Sequence, residues 1–206
     1  MATDCSGADW RESVAAYIER EAKPLEKYGH QPRLYELTRK IGAGLEYDDD
    51  VVYAASWLHD LGVFVGHRPE EPENLAAWDM IAYADRVVPG LLREFGFPGT
   101  KIEAVMECIR THQPQHEPTT AEATILRDAD ILEQLGVVGI LRTVCKVGRD
   151  TRFYTFTDAV KSLQKAVDML PAMIRLGAAR AMAEERVMVH QEWLRAVQGE
   201  AGELLF

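Results

Sequence analysis

The chain has 206 residues, 47% of them hydrophobic and 27% charged, with a formal net charge of −10 at pH 7. This composition suits one globular domain with a full core, and the excess of acids disfavours a nucleic-acid polymer or an acidic membrane surface as partner. A small phosphorylated substrate stays compatible with this charge, because a bound cation inverts the local field.

The first part of the chain predicts helices separated by turns. Apolar residues at helical spacing predict helices near 8–25, 31–45 and 50–61. The third is the clearest, because the aspartates at 48–50 supply an N-cap and favourable charge at its positive end, and Gly62 can stop it.

Further helices are predicted beyond a polar loop at 66–74. One runs from about 75 to 95, followed by a turn at 95–99. Thr100 with Glu103, and Thr119 with Glu122, have capping-box spacing and predict the starts of two more helices. The second extends to about 135 and irregular helix follows it. A loop at 148–153 and helices at 156–170 and 171–198 complete the chain.

No stretch alternates with the period of a strand, so the predicted fold class is all-α. We expect a single domain over 1–206, with a core of about 25–145 and a helical C-terminal extension over 150–198. The last helix carries apolar residues that we expect to pack on this core, although the same face could form a homodimer. These residues are Ile174, Ala178, Ala181, Val187 and Trp193.

The cysteines and the N-terminal residues bear on the compartment. Cys5, Cys108 and Cys145 form neither a CxxC pair nor a zinc-ligand spacing, which indicates reduced thiols. The apolar neighbours of the latter two predict burial. The first residues lack the apolar segment of a signal peptide, and no apolar run could span a membrane. We therefore expect a cytoplasmic protein with no membrane partner.

His59 and Asp60 lie side by side at the end of the clearest helix. His59 follows Ala55 by four residues and shares the buried face, and an imidazole with a carboxylate suits a divalent metal such as Mn, Fe, Co, Ni or Zn. For the dipeptide alone, an ordinary helix end with a histidine favoured by the dipole is the better interpretation. His112, three residues after Ile109, should also face the core, as a ligand, a satisfied core histidine or a helix cap.

Two acids, Asp128 and Asp130, lie in an otherwise apolar helix, where a buried carboxylate is unfavourable unless it is paired or binds metal. Periodicity slightly favours Asp128 as the buried one, and the other is then a solvated residue. Among the remaining histidines, His67 lies in a loop from which it could reach over a site, and His190 is expected to be structural.

The order of His30, HDLG at 59–62 and DADIL at 128–132 resembles the HD superfamily. The stretch 122–142 is similar to its bacterial predicted HD phosphohydrolase branch, and the resemblance covers about 30 to 142. It implies an HD-domain helical bundle with a metal site between helices. The implied metal ligands are His30, His59, Asp60 and Asp130, with Asp128 beside them in an orienting role.

The resemblance implies one divalent ion, because the chain has no histidine between His67 and His112, where dinuclear branches add ligands. It implies a phosphohydrolase in which metal-bound water attacks a phosphate ester or anhydride of a nucleotide or another small phosphorylated molecule. Asp60 or Asp128 would relay the proton. His112 and His67 would hydrogen-bond the phosphate or protonate the leaving group.

Three arginines are candidates for contact with the substrate phosphate, since guanidinium pairs well with it: Arg33, Arg68 and Arg127. For each of them the alternative is a solvated surface arginine. Two other functions stay open: a non-catalytic, metal-stabilised helical module that binds a ligand or partner, and a diiron oxygenase of the HD type.

Overall fold

The computed structural model of the chain describes residues 9–149 and 153–206, so Cys5 and part of the predicted loop at 148–153 lie outside the described residues. The described residues form ten α-helices and no strand, which confirms the all-α fold class. The helices are α1 Trp10–Glu21, α2 His30–Ile41, α3 Asp49–Leu58, α4 Pro72–Ala76, α5 Met80–Glu94, α6 Ile102–Thr111, α7 Ala121–Glu133, α8 Gly136–Val144, α9 Phe156–Met169 and α10 Gly177–Ala201.

The helix starts agree with the sequence only in part. Asp48 caps α3 as predicted, through its side chain. Both predicted capping boxes are wrong. Thr100 lies in a 3-10 turn before α6, which has no side-chain cap. Thr120, not Thr119, caps α7, and the Glu122 carboxylate instead accepts a 2.8 Å hydrogen bond from the backbone N–H of Asp48. The predicted helix at 75–95 is two helices, α4 and α5, because Asp79 caps a new start.

The centre of the fold is formed by α2, α3, α6 and α7, which pack against one another. Every residue of α3 from Val51 to Leu58 is buried, so this helix is surrounded by its neighbours. The C-terminal helices α8, α9 and α10 pack together, and α10 also contacts α7. No helix among the described residues is both long and apolar enough to cross a bilayer.

The predicted last helix at 171–198 begins only at Gly177, so Ile174 lies before α10, and three of the five predicted apolar positions pack on the same chain. Ile174 and Val187 contact the main core, and Trp193 contacts a smaller apolar cluster of α8, α9 and α10, whereas Ala178 and Ala181 are exposed. Cys108 is buried as predicted, but the predicted burial of Cys145 is wrong, since Cys145 lies at the C-terminal end of α8 and is exposed.

Candidate metal centre

The four residues predicted as ligands meet where α2, α3 and α7 pack against one another. His30 is the first residue of α2, His59 and Asp60 follow the last turn of α3, and Asp130 lies within α7. His30 Nε2 lies 3.3 Å from His59 Nε2, 3.3 Å from Asp130 Oδ1 and 3.8 Å from Asp60 Oδ2. His59 Nε2 lies 3.6 Å from Asp60 Oδ2. Two ring nitrogens and two carboxylates therefore face one point.

This donor set fits a divalent transition metal. Single ligand atoms of His30, His59 and Asp60 all lie within 4.8 Å of one another, so the three could hold an ion together. Among residues 9–149 and 153–206, this is the one group of three or more such side chains found at that spacing. Imidazole nitrogens with carboxylate oxygens are the ligands that Mn, Fe, Co, Ni and Zn take in proteins.

Hydrogen bonds outside the cluster orient both imidazoles. His59 Nδ1 lies 3.0 Å from the Ser56 carbonyl, and His30 Nδ1 lies 3.3 Å from Glu133 Oε2. An acceptor at Nδ1 favours the tautomer that carries the proton there. Each ring then directs the lone pair of Nε2 at the same point, which is the arrangement that a metal ligand requires.

Burial and neighbouring charges shift the pKa values of these groups in different directions. Burial lowers the pKa of His59 to about 4, so the ring is neutral at physiological pH. Burial alone raises the pKa of Asp60, but the neighbouring His59 and His30 lower it to about 2. For His30 the effect of burial is outweighed by hydrogen bonds to Asp130 and Glu133, and its pKa is raised. The centre thus holds ionised carboxylates beside imidazoles.

His112 is the one further predicted site residue that the structure brings to the centre. It is 3% exposed at the end of α6, and its ring centroid lies 5.0 Å from that of His59. His112 Nδ1 lies 2.6 Å from the Ile109 carbonyl. This contact leaves Nε2 as the nitrogen that can exchange a proton.

Glu133 belongs to the site, although the sequence interpretation did not include it. The residue is 2% exposed, and its carboxylate contacts His30, Arg33 and Arg142. It follows Asp130 by three residues on α7, and residues at this spacing share a helix face. Glu133 thus lies beside Nδ1 of His30, and Asp130 lies beside Nε2 of the same ring. The three-residue spacing after Asp130 is the sequence signal that could have identified Glu133.

Asp128 points away from the cluster, because residues two apart lie on different sides of a helix. It is fully buried, as periodicity suggested, and its Oδ2 accepts hydrogen bonds from the backbone N–H groups of Arg175 (2.9 Å) and Leu176 (2.7 Å) just before α10. These bonds account for its burial. The orienting and proton-relay roles expected of Asp128 find no contact with His30, His59, Asp60 or Asp130 in the described part of the chain.

Arg127 is buried, so its interpretation as a solvated arginine is wrong, and none of its contacts supports the predicted role as a phosphate ligand. It is 1% exposed, and its guanidinium donates to the carbonyls of Met173 and Pro114. It therefore ties α7 to the segments before α7 and α10. Burial lowers the pKa of its guanidinium, which the nearby Asp128 partly offsets.

The other predicted substrate contacts lie at the edges of the site. His67 contacts Tyr83 Oη at 2.7 Å and Glu21 Oε2 at 3.2 Å, so both ring nitrogens are engaged away from the cluster. Arg33 is 43% exposed and donates to Glu133 from the outer side. Arg68 is half-buried in the loop after the HDLG turn. Their contact with substrate stays a prediction.

The glycine of the HDLG turn is required by close packing. A Cβ at Gly62 would lie 2.9 Å from the Met80 carbonyl oxygen and 3.0 Å from its Cα, so the turn can approach the start of α5 only without a side chain. Trp78 Nε1 donates a 2.8 Å hydrogen bond to the Gly62 carbonyl. The turn that carries His59 and Asp60 is thereby fixed against the following helix.

Comparison with known proteins agrees with this geometry. A family model described as the HD domain matches residues 28–135, just over half of the chain, and this range contains all four candidate ligands. Comparison with curated protein sequences finds no significant match.

Solved structures with the same fold include Bacillus subtilis YpgQ in complex with ADP, with a TM-score of 0.69 at 20% identity, covering 95% of this chain and 96% of that one. A predicted HD superfamily hydrolase from an uncultured Thermotogales bacterium has a TM-score of 0.62 at 22% identity and coverages of 93% and 92%. An HD-superfamily hydrolase from Bacillus thuringiensis has a TM-score of 0.66 at 17% identity and coverages of 92% and 95%. At these identities the likeness shows the fold alone.

Proposed function

The chain belongs to the HD-domain family, and from this premise we propose that it is a metal-dependent phosphohydrolase that cleaves a phosphate ester or anhydride of a nucleotide or another small phosphorylated molecule. The observation that carries the proposal is the convergence of His30, His59 and Asp60 on one point, with Asp130 within 3.3 Å of His30. We propose these four residues as the ligands of one divalent ion, whose identity is open among Mn, Fe, Co, Ni and Zn.

Hydrolysis suits this donor set. A divalent ion at such a site makes bound water more acidic and polarises a phosphoryl oxygen. The neutral imidazole of His59 and the ionised carboxylate of Asp60 are in the protonation states that ligands need, because burial and neighbouring charge hold the pKa values at about 4 and about 2. These two ligands are therefore in the form that binds a cation at neutral pH, and a metal would have to displace a proton from His30, whose pKa is raised.

We propose two residues for proton transfer: His112, which lies beside the cluster, and Asp60, which belongs to it. His112 adjoins His59 and keeps Nε2 for proton exchange, so we propose that it protonates the leaving group or hydrogen-bonds the phosphate. Asp60 has the lowered pKa of a carboxylate that stays ionised, and it is the candidate acceptor of the proton lost by the attacking water. Two structural relatives that are HD-superfamily hydrolases support hydrolysis, and the ADP bound to a third relative supports a nucleotide among the substrates to be tried.

The test uses the full chain loaded separately with Mn, Fe, Co, Ni and Zn and offered nucleoside mono-, di- and triphosphates and simple phosphate esters. Phosphate or pyrophosphate release should require metal and should fall to background in Asp60→Asn. The matched control is Asp168→Asn on the exposed side of α9, which should keep wild-type activity. If no metal supports release from any of these compounds, the proposal fails and a non-catalytic module is favoured. Oxygen consumption with two irons per chain would favour the oxygenase.

A further inference from the structure

A pocket of about 180 Å³ opens beside the metal centre, and its two sides differ in charge. Its acidic side is the lining contributed by the end of α3 and by α7: Asp60, Asp130 and Glu133. Its basic side is the lining contributed by α8 and the turn that follows, Arg142 and Lys146, together with the hydroxyls of Thr143 on α8 and Ser162 on α9. The sequence interpretation singled out none of these four residues.

The basic side is held close to the acids by the way α8 packs. A Cβ at Gly139 would lie 2.3 Å from the Gln134 carbonyl oxygen, so the start of α8 can lie against the end of α7 only with glycine there. This approach brings Arg142 Nη1 to 3.4 Å from Glu133 Oε2. Lys146 Nζ lies 5.9 Å from the centroid of the Phe153 ring, which also lines the pocket. The basic residues are thus positioned by packing.

The net charge of the pocket favours the binding of an anion only after a metal ion has bound at the centre. Three ionised carboxylates against two cations leave one negative charge in excess, and a divalent ion at the centre reverses the sign. Arg142 Nη1 donates to the carbonyl and the carboxylate of Glu133, which leaves Nε and Nη2 for phosphate oxygens, and the ammonium charge of Lys146 attracts a phosphate group. Acidic residues alone would repel a phosphate group from this position.

We propose that Arg142 and Lys146, assisted by Thr143 and Ser162, form an anion subsite that receives a phosphate group of the substrate; this inference rests on the proposed function. The pocket is smaller than the roughly 300–1,000 Å³ of pockets that enclose a whole drug-sized ligand. The phosphorylated end of the substrate therefore enters the pocket and the organic part stays outside. The substrate class is a molecule with a sterically open phosphate or polyphosphate end.

The test measures binding of inorganic phosphate to the manganese-loaded full chain, through the broadening of the 31P resonance by the bound paramagnetic ion. Wild type should bind phosphate saturably. Lys146→Met and Arg142→Gln should weaken binding by about tenfold or more, as expected for a lost charge-assisted hydrogen bond. Lys146→Arg should restore it. The matched control is Lys165→Met, an exposed residue of α9 that does not line the pocket.

Lys146→Met is the decisive variant, because Arg142 also contacts Glu133 and Arg142→Gln can therefore disturb the metal centre. Manganese content is therefore measured for every variant. Wild-type phosphate affinity in Lys146→Met with full metal content overturns the subsite, and so does the absence of saturable binding to wild type. If Lys146→Met loses phosphate affinity while wild type hydrolyses no ester, the subsite stands and the proposed hydrolysis fails. If hydrolysis is intact and phosphate affinity unchanged in Lys146→Met, only the subsite fails.

Discussion

Replacing Glu133 by glutamine should weaken metal binding without removing any ligand. Glu133 is 2% exposed, and its Oε2 lies 3.3 Å from His30 Nδ1 and 3.2 Å from Arg33 Nη2. Glutamine keeps the shape but removes the charge that favours a proton on His30 Nδ1 and a lone pair on Nε2. Loss of such an outer partner typically weakens metal affinity about 10–100-fold, or about 1.4–2.7 kcal/mol.

The assay is competition for Mn²⁺ against a fluorescent chelator, which gives the Kd of wild type, Glu133→Gln and the control Glu36→Gln. Glu36 lies on α2, the helix of His30, but its side chain is 59% exposed and pairs with Arg39. The thermal unfolding of each metal-free protein separates loss of affinity from loss of structure. A wild-type Kd in folded Glu133→Gln would refute the reasoning that this carboxylate orients His30.

Three further substitutions test the packing around the centre. Asp128→Ala should lower the free energy of unfolding in urea by about 3 kcal/mol, because two partly buried backbone N–H groups lose a charged acceptor. The metal content should stay unchanged, and loss of metal would contradict the structural role of Asp128. Gly62→Ala should lower the free energy of unfolding by about 1–3 kcal/mol, since the added Cβ meets the backbone of Met80. An unchanged urea midpoint would contradict this packing. His190 is buried, neither of its ring nitrogens has a hydrogen-bond partner in the described part of the chain, and burial lowers its pKa. Protonation therefore favours the unfolded state, so wild type should lose stability as the pH falls below about 6.5, and His190→Leu should lose less; parallel urea midpoints of the two proteins against pH would contradict this.

Helix ends and motifs in the sequence indicate the four candidate ligands, which the structure places close together. His30, His59, Asp60 and Asp130 lie far apart in the chain, yet the resemblance to the HD superfamily grouped them, and the structure brings them within a few ångströms. Periodicity ranked Asp128 above Asp130 because it measures burial, and Asp128 is indeed the more buried acid. Burial of a carboxylate does not distinguish a metal ligand from a residue that accepts hydrogen bonds from the backbone just before a distant helix.

The basic side of the pocket could not be predicted from local patterns. Arg142 and Lys146 look like surface residues of α8 and the turn after it, but the close contact of α8 with the end of α7 brings Arg142 to Glu133, and both basic residues line the pocket. Arg127 is buried rather than exposed, and its neighbours in sequence do not indicate that the carbonyls of Met173 and Pro114 accept its hydrogen bonds. Contacts between helices, rather than periodicity within one helix, decide all three positions.

The most direct test of the metal centre is the metal content of the full chain by plasma mass spectrometry, for wild type, Asp130→Ala and Asp128→Ala, after reconstitution with manganese. Wild type and Asp128→Ala should hold about one ion per chain, and Asp130→Ala should hold little. Metal retained in Asp130→Ala and lost in Asp128→Ala would contradict the assignment of the fourth ligand. A wild-type chain that holds no metal after reconstitution would contradict the centre as a whole.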